Sequence, residues 1–167
     1  MAKNVRLRCM TPDTFLDKFT DPTWFDPAVR PKTMKACLAL CERILDKIVN
    51  ELPRIVLFAP DAGEYGRCIP LMPNDFDSDA AFIYLAPSLE SRPQVEVNFT
   101  VAHEFAHALV RHHLPQNMIL SPEEAKRGYL ESNSEIAADK LVAEWGFRVP
   151  KRRSRDRKRQ ISNDEKT

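Results

Sequence analysis

The chain has 167 residues, of which 43% are apolar and 29% charged, with a formal net charge of +1. That length suits one domain with a core of its own, and no apolar run approaches the length of a membrane span. Lys3, Arg6 and Arg8 near the start are followed by no apolar stretch, so no signal peptide and a cytoplasmic location are expected, with no membrane partner.

Residues 1–30 read as irregular because of Pro12, Pro22 and Pro27, with Phe15, Leu16, Phe19, Trp24 and Phe25 suggesting a short helix and a turn packed on the core. Residues 32–52 carry an amphipathic helical pattern that stops at Pro53. Cys37 and Cys41 fall on its apolar face with Leu38, Ile44, Leu45 and Ile48, and are expected to be small buried hydrophobes rather than a second metal site. Cys9 and Cys68 are scattered, and no C-x-x-C pair occurs. Arg54 to Ala59 reads as a strand. Gly63 and Gly66 flank a turn, and Arg67 to Leu71 reads as a second strand that Pro70 assigns to an edge or an end. A loop over 74–79 leads to a third strand, Ala80 to Ala86, closed by Pro87. A helix is expected from about Gln94, after Pro93, to about His113, because Pro115 disfavours a helical Leu114. A loop to about Leu130 precedes a helix over 132–145 that Gly146 stops.

All four histidines lie between positions 103 and 113. Two of them form His103-Glu104-Phe105-Ala106-His107, an H-E-x-x-H string in mid-helix. Four residues apart on a helix, the two imidazoles project from one face and can reach a single metal ion. Glu104 is placed beside the first ligand to act as general base. His112 and His113 lie elsewhere on the helix and suit its C-terminal end. A third protein ligand is needed, with one position left open. On the last helix Glu135 and Asp139 stand four apart on one face. Glu135 is the candidate ligand and Glu131 its competitor. Asp139 would accept a hydrogen bond from a ligand imidazole. Ala137 and Ala138 would let the two helices approach closely. Tyr129 is the candidate stabiliser of a developing oxyanion.

The segment Asn98 to His107, followed by Glu135-Ile136-Ala137-Ala138-Asp139, resembles the ImmA/IrrE family of zinc metallopeptidases. Those are gluzincin-type enzymes with H-E-x-x-H on one helix and E-x-x-A-[N/D] on the next. The resemblance covers residues from about 54 to 147. It implies His103, His107 and Glu135 as ligands of one zinc ion, Glu104 as catalytic base, and a narrow processing peptidase that cuts one protein partner such as a repressor. The element order then predicts an α+β fold. A small, mostly antiparallel sheet would pack with the motif helix and the ligand helix, as in a minimal zincin-like core. Residues 1–150 would form that single domain. An extended peptide substrate would add to an exposed strand, with the third strand the candidate.

Residues 151–167 hold eight Lys or Arg against three acids. A run of this kind is expected to be a solvated, disordered tail. It could also contact nucleic acid weakly through residues 151–159, although no aromatic interrupts it to stack on bases. The rival to the enzyme is therefore a non-catalytic, zinc-containing regulatory module whose basic tail does the work. Glu104 discriminates, because a purely structural site has no use for a carboxylate beside an open coordination position.

Overall fold

The computed structural model describes residues 11–19, 25–51, 54–58, 66–70, 80–111 and 133–150. Their elements run α1 (Pro12–Phe19), α2 (Pro31–Glu51), β1 (Arg54–Phe58), β2 (Gly66–Pro70), β3 (Ala80–Leu85), a 3-10 turn (Pro87–Ser91), α3 (Gln94–Leu109) and α4 (Asn133–Glu144). This is a helix-rich, mixed α and β fold, close to the order that the sequence pattern predicts. The basic tail lies outside the described residues. No described helix is long and apolar enough to cross a membrane.

The sheet has three strands in the order β1-β3-β2. β1 runs parallel to β3, with Arg54 opposite Ala80 and Phe58 opposite Tyr84. β2 runs antiparallel to β3, with Gly66 opposite Leu85 and Pro70 opposite Ala81. The expectation of a mostly antiparallel sheet is thus corrected to a mixed one with one pairing of each kind. A parallel pair needs a long crossover connection, and the chain between Phe58 and Ala80 provides it, with β2 set inside that connection. β2 takes the edge, as Pro70 requires. β3 is central and both its flanks are taken, which overturns its candidacy as the strand that receives a peptide.

β3 buries Ala81, Ile83 and Leu85 on one face and leaves Phe82 and Tyr84 half-buried on the other, the period of two that a strand imposes. α3 contacts both β2 and β3 and packs most extensively on α2 and α4. It is buried continuously from Val101 to Ala108, so apolar residues surround it on most sides. Phe105 meets Phe15 and Phe19 of α1, with ring centroids 6.4 and 6.3 Å away. Ala102, Ala106 and Ala138 are fully buried and let α3 and α4 lie close together.

Polar ties fix where α3 begins. Glu90, in the 3-10 turn, accepts hydrogen bonds from the backbone N–H of Lys32 (3.0 Å) and Thr33 (2.9 Å) and from the Thr33 hydroxyl (2.6 Å). Its carboxylate serves the unsatisfied donors at the start of α2, where negative charge is favoured. Gln94 Nε2 donates to the Lys32 carbonyl at 3.0 Å, and Lys32 Nζ donates to the Arg92 carbonyl at 2.8 Å. The start of α2 is therefore bound to the start of α3. Further along, α2 kinks at Ile44 (φ −130°, ψ 19°). Arg43 donates to the Trp145 carbonyl at 3.0 Å and stands 4.1 Å from the Phe147 ring centroid, which ties α2 to the end of α4.

α3 ends four residues earlier than Pro115 implies. Arg111 has a left-handed φ of 57°, and its N–H is satisfied by the Ala108 carbonyl at 3.1 Å. α4 ends at Gly146 (φ 77°). The Phe147 N–H reaches the Val142 carbonyl at 3.1 Å and that of Gly146 reaches Ala143 at 2.9 Å. That pair of bonds closes a Schellman cap, for which glycine is favoured.

Candidate metal centre

His103 and His107 leave α3 on the face that meets α4, one turn apart. Their Nε2 atoms stand 2.9 Å from each other, and the rings are nearly perpendicular, with centroids 4.6 Å apart. Glu135, in the first turn of α4, spans the pair. Its Oε2 is 3.1 Å from His103 Nε2 and its Oε1 is 3.0 Å from His107 Nε2. The three donors form one group whose ligand atoms all lie within 4.8 Å of one another, and this group could hold a metal ion.

Asp139 lies one turn beyond Glu135, with its Oδ1 2.9 Å from His103 Nδ1. The contact pairs the carboxylate with that ring nitrogen. It favours the tautomer with the proton on Nδ1. The Nε2 lone pair of His103 then points at His107 Nε2 and at the Glu135 carboxylate. One proton between the two imidazoles would serve only one of these three close contacts, whereas a cation at their centre serves all three. Ligand atoms about 2.0–2.1 Å from a tetrahedral centre stand about 3.3 Å apart. The observed separations of 2.9–3.1 Å are slightly tighter, so a small outward relaxation admits an ion.

The group is buried. His103 and Glu135 are each 3% exposed, and Glu104 and Asp139 are each 6% exposed. Charges of this kind are costly to bury unless they are paired or bind a metal. Burial by itself would raise the Glu135 carboxyl. Hydrogen bonds and charge from His103 and His107 in their protonated forms outweigh burial and hold it well below the usual carboxylate range, and a cation held between the neutral rings would supply that positive charge in their place. Glu135 is thus kept as an anion, the form that coordinates metal.

The structure brings together His103, His107, Glu135 and Asp139, with Glu104 on the same buried helix. Glu135 meets both imidazoles. Its competitor Glu131, the oxyanion candidate Tyr129, and His112 and His113 lie outside the described residues. Phe99, one turn before His103, stacks on that ring at 5.5 Å and 27° and limits its rotation. Its helical spacing from the first ligand was the signal that could have marked it. A second neighbour, Gly66 of β2, stands against Glu104. The sequence pattern gives it only as a turn residue, because contact between a strand and a helix leaves no trace in local spacing.

No protein-family model, curated protein or solved structure matches this chain.

Proposed function

We propose that the chain is a zinc-dependent metallopeptidase of the gluzincin type, built on a minimal zincin-like core and similar in its two motifs to the ImmA/IrrE enzymes. The observation that carries this reading is the convergence of His103, His107 and Glu135 on one buried point, with the carboxylate Glu104 directly following the first imidazole. Three protein ligands leave one position for solvent or substrate, as catalytic rather than structural zinc sites do.

When bound, a zinc ion supplies a Lewis acid that polarises a substrate carbonyl and acidifies water. The work of the chain's own groups is then separable. His103, His107 and Glu135 hold the ion, and Asp139 and Phe99 fix the His103 ring. Glu104 takes a proton from the attacking water and passes it to the departing amine. The buried surroundings keep these charges strong by excluding competing solvent. With β3 central, an extended peptide would be received by the edge strand β2, which α3 contacts beside Glu104. A narrow processing activity on one protein fits the resemblance better than general digestion. Protein or peptide is accordingly the proposed substrate, and the cytoplasm its proposed setting.

The test pairs metal analysis with hydrolysis. Wild type and Glu104→Gln should each carry about one zinc per chain. Cleavage of a proteome-derived peptide library should fall roughly 10²–10⁴-fold in the variant, the usual worth of a general base. Full hydrolysis by Glu104→Gln would sink the mechanism. A metal-loaded wild type that cleaves nothing in the library would favour a non-catalytic zinc module acting through the basic residues 151–159.

A further inference from the structure

Gly66 opens β2, opposite Leu85 of β3. Its backbone is not in the left-handed region, which among the described glycines only Gly146 occupies. Conformation therefore does not explain why glycine stands there, and a glycine inside a strand otherwise weakens it. Space does explain it. A Cβ at position 66 would lie 2.7 Å from Thr100 Cγ2, 2.9 Å from Glu104 Cγ and 3.0 Å from Glu104 Oε1. Thr100 and Glu104 are one turn apart on α3, so they form one ridge, and the strand backbone lies directly on it. Neither neighbour has easy room to give way. Glu104 is 6% exposed, and Thr100 is β-branched and stiff at χ1. The pairing with Leu85 holds the strand from its other side.

We propose that Gly66 is a positioning residue for Glu104: the bare backbone of the edge strand closes over the carboxylate and restricts it to one rotamer. This rests on the peptidase reading for its catalytic consequence, though not for its geometry. The two contacts also come apart. Exchanging Thr100 for serine deletes Cγ2 and removes the first clash, while the clash with Glu104 Cγ persists. If Gly66 only had to clear Thr100, that second change would repair everything. If it sets the Glu104 rotamer, the second change relieves only the Thr100 clash and leaves the carboxylate displaced.

The experiment compares wild type, Gly66→Ala, Thr100→Ser and the double variant by zinc content, melting temperature, peptide hydrolysis and the ¹³C signal of the Glu104 carboxyl, identified by its loss in Glu104→Gln. All four chains should bind one zinc ion, since the ligands are untouched. Gly66→Ala should melt lower than wild type, and the double variant should regain only the part of that loss due to Thr100. Both chains carrying Gly66→Ala should show a displaced Glu104 carboxyl signal and a kcat lowered on the order of a hundredfold, the scale of an ångström-sized misplacement, with KM little changed. Return of both the carboxyl signal and kcat to wild-type values in the double variant would overturn the proposal. A wild type that cleaves no peptide, together with a carboxyl signal that shifts as expected, would remove the peptidase reading while leaving Gly66 as the residue that positions Glu104.

Discussion

Two helices of this protein each carry a pair of imidazole or thiol side chains four positions apart: His103 and His107 on α3, and Cys37 and Cys41 on α2. Both pairs are buried. Spacing alone would make either a candidate, and their surroundings separate them. The histidines face Glu135 and Asp139 of α4 at 2.9–3.1 Å. The cysteines are free thiols within the apolar core. Burial, and secondarily the neighbouring Cys41, pushes the Cys37 thiol well above its ordinary value. Burial pushes Cys41 up to about 12, with Glu42 adding to the effect and Lys18 opposing it. Metal binds thiolate rather than thiol, so an environment that keeps the proton on sulfur withholds the ligand. A pair at helical spacing becomes a site only when a second element brings an anion to it.

The largest effect should come from removing that anion. Glu135→Ala should lower zinc affinity by more than the roughly 10–100-fold that losing an outer partner costs, measured by competition with a chromogenic chelator. Affinity equal to wild type would dissolve the distinction between the two pairs. Asp139→Ala removes only the group behind His103, and a loss of about 10–100-fold is expected. Cys37→Ala and Cys41→Ala together should leave zinc stoichiometry unchanged and lower stability by about 1 kcal/mol per site, an ordinary core substitution. Any loss of zinc from that chain would make the cysteines ligands after all.

A further expected effect is a pH dependence confined to alkaline solution. The folded Cys41 has its pKa raised from 9.0 to about 12, so its stabilising contribution is complete below pH 9. The contribution declines as pH rises from 9 towards 12, because the unfolded thiol ionises first while the folded one stays protonated. Urea titrations across that range should show a shallower loss of stability in Cys41→Ala than in wild type. Equal slopes would mean that the thiol ionises as readily in the fold as outside it.

The same contrast shows why the sequence was legible in some places and not in others. The two site helices could be read because periodicity, prolines and glycine are local signals, and Gly146 ends α4 by the φ it adopts. Glu135 and Asp139 could be proposed because carboxylates four apart share one helix face, and a cation held by two imidazoles needs an anionic ligand beside them. Strand order could not be read. β1, β2 and β3 were each visible as strands, but their pairing depends on how the chain between Phe58 and Ala80 crosses over, and local spacing carries no record of that path. The end of α3 was set by the left-handed turn at Arg111, a residue type that does not announce one.

By itself the sequence determined the composition of the donor set: two imidazoles, a neighbouring carboxylate and a second helix with two more, at spacings fixed by the 3.6-residue turn. Only the tertiary structure decided that α4 packs with Glu135 across both rings. It also decided that Asp139 stands behind the first ring and that Gly66 lays an edge strand on Glu104. The physical reason is that a helix fixes which residues share a face, while the partner that face meets is chosen by the burial of apolar surface over the whole domain.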